Sequence, residues 1–351
     1  MKRRQAPSFE TGDVMYKIIV VWLAVAVCLP PAFATIDLNL QMQLGNPSGA
    51  SANTNDHSHY LVQRAVEALD YSDNLGQPLW AAWDLTAGDV GSVARSSTYY
   101  TDTNLPPNFY RVTTTDYNGV GDIDFNRGHL CPSEDRTDTT ADNKLVFFMS
   151  NIMPQSAPNN QGVWANFEAY CRAQLSSNEL LIVCGPSGFG PAAIPSGKAA
   201  IPSNTWKVVV CVPLGSGAAL SRITAANRVI AISIPNVTNG LSSAWQAYVT
   251  SPQKIEQDTG FTFFTALPAD VAAAFRARVD GAPTVAADGW TNNQFRFTVG
   301  GWTGTNYVVQ AATNLTAPNW ISLATNRAPF TFIQSNASLF GQRFYRAQLA
   351  P

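Results

Sequence analysis

FNRGHLCPSEDRT, residues 125–137, is the stretch on which the reading of this chain turns. It holds Arg127-Gly128-His129, and His129 is one of only three histidines in 351 residues. The other two, His57 and His59, sit together in a polar N-terminal stretch. Imidazole is the side chain best suited to take a proton near neutral pH, so a chain this poor in histidine offers few general bases. Working outward, residues 149–172 read MSNIMPQSAPNNQGVWANFEAYCR. Asn160, Trp164 and Glu168 recur every four positions. At about 100° per residue they fall along one side of a helix, with Arg172 continuing the line. Asn159-Asn160 would form its N-terminal cap region. Standing alone, this pattern describes a solvated helix face.

It does not stand alone. RGH, SNIMPQ, NNQGVWANFE and YCR, in that order, resemble the DNA/RNA non-specific endonucleases, the ββα-metal or His-Me finger nucleases that include mitochondrial endonuclease G. The resemblance runs from about His59 to Asp280. It implies roles one position at a time. His129 would be the general base that takes a proton from the attacking water. Asn160 would be the direct protein ligand of one Mg²⁺, with Mn²⁺ as a substitute, and Glu168 would hold metal-bound water. Asn151 would orient the histidine side of the site. Arg95, in VARSSTYYTD, would contact the scissile phosphate, and Arg127 and Arg172 would be further site arginines. The implied substrates are DNA and RNA, and the implied products carry 5′-phosphates. The family usually has Asp where this chain has Asn126. Asn keeps the hydrogen bonding and removes a charge beside the histidine, which implies a shifted pH optimum.

These residue types suit phosphodiester hydrolysis. A neutral imidazole accepts a proton from water. Mg²⁺ prefers octahedral oxygen coordination and keeps several waters, so one Asn carbonyl and one outer carboxylate suffice from the protein. Arginine offers a fork of donors that fits phosphate. None of these groups reads a base edge, which agrees with hydrolysis of both polymers. The net charge of −2 and the absence of a long Lys/Arg run argue against a storage or regulatory nucleic-acid binder. The alternative is a catalytically inactive, nuclease-like protein that binds a surface or matrix through its C-terminal β domain. Asn126 favours it; His129, Asn160 and Glu168 together oppose it.

Residues 18–29, IIVVWLAVAVCL, follow Lys17 and precede Ala32-Phe33-Ala34. The run is short for a membrane span and fits a secretory signal peptide over 1–34, with Met15 as an alternative start. The expected location is secreted or periplasmic. Removing Cys28 with the signal leaves Cys131, Cys171, Cys184 and Cys211, an even number that suggests two disulfides, with 131–171 and 184–211 one attractive pairing.

Residues 35–56 read as a flexible lead-in and 57–281 as the nuclease domain. PLWAAWDL, residues 145–149, 180–184 and 206–212 read as strands, 160–175 as the site helix and 269–279 as a closing helix. The fold class is therefore α+β: a ββα-metal (His-Me finger) domain on a central antiparallel sheet. Residues 282–351 contain no Lys and one acid, Asp288, and their strand-like runs at 295–299, 307–311, 320–324, 330–333 and 343–349 predict a small all-β sandwich. Trp290, Trp302 and Trp320 are core and rim positions or a binding face.

Overall fold

A computed structural model describes residues 40–350. The apolar run at 18–29 and the expected cleavage after Ala34 lie outside them. Strands β1 (Tyr60–Gln63), β2 (Ala68–Ser72) and β3 (Gln77–Leu85) open the fold. A pair, β4 (Phe125–His129) and β5 (Ile152–Ser156), follows. Then come β6 (Asn178–Ala193), β7 (Ala200–Pro213), β8 (Arg228–Pro235) and β9 (Val249–Thr250). The seven strands other than β4 and β5 form one sheet in the order β1-β2-β3-β6-β7-β8-β9, with every pairing antiparallel.

The central strands are apolar on both faces, as a sheet covered on both sides requires. Side chains alternate across it. Leu180, Ile182, Val209 and Ile230 point to a core shared with Phe147, Trp164 and Phe167. Leu181, Val183, Val208 and Val229 point to a second core with Phe263, Phe264 and Phe275. The finger and site helix cover the first face. Helices Pro252–Thr259 and Ala269–Arg276 cover the second. The layering is helix, sheet, finger, an α+β arrangement around a central antiparallel sheet.

Three expectations are corrected. The lead-in is not loose from residue 40 on: Met42 and Leu44 enter the second core, and Gln41 and Gln43 are also buried. Gln43 donates to Asp84 Oδ2 at 3.0 Å, and Gln41 Oε1 accepts from the Asp84 backbone at 2.9 Å. The alternation LQMQL carries the reason: every second residue is apolar, and the amides between them find partners. Residues 145–149 are not a strand but the end of helix Thr140–Leu145 and a turn, with Val146, Phe147 and Met149 buried. A short apolar run cannot distinguish strand from buried turn by period alone. All four described cysteines are free and buried. Cys184 pairs in register with Lys207, and Cys211 with Leu180, so the two sulfurs sit four residues apart along neighbouring strands. That is about 13 Å, roughly twice what a disulfide spans.

The C-terminal strands are β10 (Thr284–Thr291), β11 (Gln294–Gly300), β12 (Asn306–Ala312), β13 (Ile321–Arg327), β14 (Phe330–Gln334) and β15 (Phe344–Leu349). They form two three-stranded sheets, β10-β11-β14 and β13-β12-β15, around Phe297, Val299, Tyr307 and Val309. The sequence runs anticipate five of the six. β10 escapes because it is exposed almost throughout and has no apolar alternation. Arg228 makes paired bonds to Asp280, which also accepts from Trp302 Nε1, and Tyr307 donates to the Gly281 carbonyl.

Candidate active site

β4 and β5 pair with His129 opposite Ile152 and Gly128 opposite Met153. A side chain at 128 would collide with Gln155, whose own Cβ lies 2.6 Å from where the new Cβ would stand. Glycine is therefore required beside the histidine. After β5 the chain enters a wide π-helical turn, Asn159–Trp164, broken by Gly162 at φ −106°, ψ −106°, and continues as the helix Ala165–Ala173. This strand–strand–helix unit is the finger. The residue before the turn is Pro158, and neither Asn159 nor Asn160 caps it, contrary to expectation. Asn159 instead donates to Thr205 Oγ1 at 3.0 Å and accepts from Gln155 at 2.9 Å, tying the turn to β5 and β7.

One polar pocket of about 610 Å³ is lined by Arg95, Arg127, His129 and Asn160, together with Tyr99, Asn126 and Gln161. His129 is buried, and its Nε2 has no hydrogen-bond partner. Burial, with the nearby Arg95 charge, pushes its pKa down to about 3. Burial thus favours the neutral imidazole, the form that has a ring nitrogen able to accept a proton. Phe147 meets its ring edge-on at 4.7 Å, and Tyr99 lies 5.5 Å away. Arg95 lies over the Phe147 ring, 5.2 Å from its centroid, and is half exposed while reaching Glu134 at 3.4 Å. Arg127 lies 5.3 Å over Tyr99 and donates to the Thr114 carbonyl; its Nε is buried without a partner.

Asn151 does not line the pocket. Its side chain accepts from Cys131 N at 3.1 Å and donates to Cys131 O and Val146 O, both at 2.9 Å. Its carbonyl accepts from Leu130 N. It thereby clamps the chain immediately after His129. Glu168 and Arg172 belong to a second, buried network. Glu168 Oε1 accepts from Lys207 Nζ at 3.2 Å, and Arg172 meets Asp135 at 2.9 Å. Lys207 is 1% exposed and lies 4.4 Å and 5.2 Å from the ring centroids of Trp164 and Trp83. Burial disfavours its ammonium and Glu168 favours it, and its pKa lies above the usual lysine value. Burial pushes the Glu168 carboxyl up, opposed by Lys207.

Asn126 has a role the sequence did not disclose. Its Oδ1 accepts from Asn160 Nδ2 at 3.0 Å and from Gln161 Nε2 at 2.9 Å. Holding the Asn160 nitrogen this way leaves its carbonyl oxygen as the free end of the amide. That is the donor a hard cation takes, so Asn160 suits Mg²⁺ as a single protein ligand. Among the described residues there is no cluster of three His, Cys, Asp or Glu side chains that could form a denser metal site. Truncating Asn126 to Ala should free the amide to rotate. The Mg²⁺ concentration for half-maximal activity should rise about tenfold, the low end of what loss of an outer partner costs a metal site. Asn126→Asp should keep both bonds while adding a charge, and should move the pH–rate profile; an unmoved profile contradicts the account.

A profile of the DNA/RNA non-specific endonuclease family matches residues 44–270. A nuclease of Nostoc sp. is 38% identical over 244 residues, 69% of this chain and 87% of the relative. The mitochondrial nuclease EXOG of Xenopus laevis is 29% identical over 58% of each chain, so this protein spans little more than half of that relative. A chain from a crystal structure of the EndoG/EndoGI complex superposes with a TM-score of 0.55 at 20% identity, covering 66% of this chain and 92% of that one, which shows a shared fold. The family match spans the central sheet, the finger and the pocket that gathers His129, Asn160, Arg95 and Arg127, and on that ground the chain belongs to the DNA/RNA non-specific endonuclease family.

Proposed function

We propose that this protein is an exported, Mg²⁺-dependent endonuclease that hydrolyses DNA and RNA without sequence preference, leaving 5′-phosphates. The observation that carries the reading is the convergence of a neutral, buried His129 with the free end of the Asn160 amide and two arginines in one polar pocket. His129 accepts the proton of the attacking water. Arg95 and Arg127 neutralise charge on the phosphate and on the transition state. Asn160 would hold the metal through its amide oxygen, and Glu168, whose Oε1 accepts from Lys207, would supply the outer carboxylate. When bound, Mg²⁺ would polarise a phosphoryl oxygen and stabilise the leaving group. Arg172, paired with Asp135, braces the Glu168 side. The nuclease domain occupies residues 57–281 with the packed segment from 40 as its prelude, and 282–351 form the separate β domain.

The test is hydrolysis of supercoiled plasmid and of total RNA by the chain from Thr35 onward, with Mg²⁺ or with EDTA. Degradation of both polymers with Mg²⁺ and of neither with EDTA is expected. Persistence of both with Mg²⁺, in a folded protein, overturns the reading.

The histidine also sets a pH dependence. Its folded pKa lies below the unfolded value of about 6.5, so the unfolded chain binds the extra proton. Its contribution to stability is therefore intact above about pH 6.5 and is lost progressively as pH falls toward 3. At pH 4 the loss is at most about 3.5 kcal/mol, from about 1.4 kcal/mol for each pH unit below 6.5. Urea unfolding at pH 7 and pH 4 should show wild type losing more stability than His129→Gln; equal losses contradict the buried neutral imidazole.

A further inference from the structure

Gln161 lines two cavities. On one side is the polar pocket of His129 and Asn160. On the other is an open cavity of about 440 Å³, walled by Asp124, Ala157, Pro158, Gly162 and Thr238. Both lie along the finger. His129 ends β4 at the catalytic side, and Asp124 precedes β4 at the other, five residues away, or about 16 Å at about 3.3 Å per residue. Asn160, the proposed metal ligand, is the chain neighbour of Gln161. A strand whose scissile phosphate lies at His129 and Asn160 can pass Gln161 into the second cavity.

Three elements fix the polar groups of this second cavity. Ala157 N donates to the Asp124 carbonyl at 2.8 Å, which continues the finger hairpin past β4 and holds Asp124 at φ 58°, a left-handed conformation that Asp tolerates. Ser156 N donates to Asn236 Oδ1 and Ser156 Oγ to the Val237 carbonyl, both at 2.8 Å, which brings Thr238 alongside. Gln161 Nε2 is committed to Asn126 Oδ1 at 2.9 Å, so its Oε1 is the open end of the amide. The Asp124 and Thr238 side chains are exposed and have no hydrogen-bond or ion-pair partner among the described residues. The wall therefore offers mainly acceptors. No Lys or Arg lines it, whereas the catalytic pocket has Arg95 and Arg127. Such a wall repels a phosphate and suits a neutral group that donates a hydrogen bond.

In the sugar–phosphate backbone of a nucleic acid, the neutral donor is the ribose 2′-hydroxyl, which DNA lacks. We propose that the cavity is a ribose subsite, in which the Asp124 carboxylate accepts a hydrogen bond from the 2′-hydroxyl of a nucleotide on the Gln161 side of the scissile phosphate. Thr238 and Gln161 flank that sugar. A hydroxyl donating to a carboxylate makes a charge-assisted bond, stronger than a neutral one. DNA meets the same carboxylate without that bond. The proposal rests on the nuclease reading and deepens it: both polymers are cut in one pocket, and Asp124 tilts the enzyme toward RNA.

The test compares kcat/KM in Mg²⁺ for three twelve-nucleotide strands of one base: oligouridine, oligodeoxyuridine and 2′-fluoro oligouridine. The fluoro sugar keeps a ribose-like pucker but cannot donate a hydrogen bond. The unaltered protein should cut oligouridine about tenfold faster than either of the others, the discrimination of one charge-assisted bond in an open groove. Asp124→Gly, which suits the positive φ, should bring the three rates together by lowering only that of oligouridine relative to the others. Its undiminished cutting of oligodeoxyuridine shows that the fold and the catalytic pocket are intact. The proposal is overturned by equal rates in the unaltered protein, by 2′-fluoro oligouridine cut as fast as oligouridine, or by a ribose preference that survives Asp124→Gly. An equal loss on all three strands in that variant also overturns it, since it marks a base or phosphate contact. Failure of the nuclease reading appears separately, as all three strands left intact by the unaltered protein with Mg²⁺.

Discussion

His129→Ala should reduce hydrolysis of DNA and of RNA together by about 10³-fold, within the range of about 10² to 10⁴ supplied by a positioned general base. The reason lies in the geometry of the pocket. His129 is the one imidazole there, burial keeps it neutral, and its Nε2 has no protein partner. His57 and His59 cannot replace it, because each is tied to its own carboxylate, Asp73 and Asp70. The loss should fall on kcat more than on KM, since Arg95, Arg127 and Asn160, the groups proposed to hold phosphate and metal, are untouched. Far-UV circular dichroism should be unchanged. Loss of one activity with retention of the other would mean that two sites exist, and a KM effect alone would mean that His129 binds rather than catalyses.

Lys207→Met should produce the largest loss of stability, about 3–5 kcal/mol, the cost of leaving one partner of a buried ion pair uncompensated. Lys207 is 1% exposed, stands 3.2 Å from Glu168 and is enclosed by Trp83 and Trp164. Methionine fills the space but leaves the Glu168 carboxylate facing indoles. The double variant Lys207→Met/Glu168→Gln should recover much of the loss, because the uncompensated charge is gone. Urea unfolding of the four proteins measures the coupling. Additive losses would show that Lys207 acts through packing rather than through Glu168.

Much of the site was legible because its chemistry is local in sequence. Gly128 and His129 share a strand and Asn160 follows on the next turn, so their order carried the resemblance and the pocket gathers His129 and Asn160, whereas Glu168 and Arg172 pair with Lys207 and Asp135 outside its lining. Spacing misled where backbone geometry intervened. The four-residue rhythm of Asn160, Trp164 and Glu168 predicts one helix face, but the π turn and the kink at Gly162 separate them: Asn160 lines the pocket while Glu168 lies in the layer beneath. Lys207 could not be anticipated. It sits in the strand-like run TWKVVVCV, and its partner lies 39 residues earlier, a contact only the sheet creates. Asn126 was legible as a departure from the family pattern but not as the acceptor that aims the Asn160 amide. The alternation LQMQL at 40–44 was present in the sequence and its polar glutamines obscured it, since their burial depends on Asp84, more than forty residues away.

The central claim is that one metal-dependent pocket serves both polymers. The direct measurement is mutual inhibition: initial rates of plasmid hydrolysis in Mg²⁺ with increasing total RNA, and the converse. A single site predicts competitive inhibition, each polymer's inhibition constant equal to its own KM. Independent rates at saturating concentrations of the other polymer would contradict it.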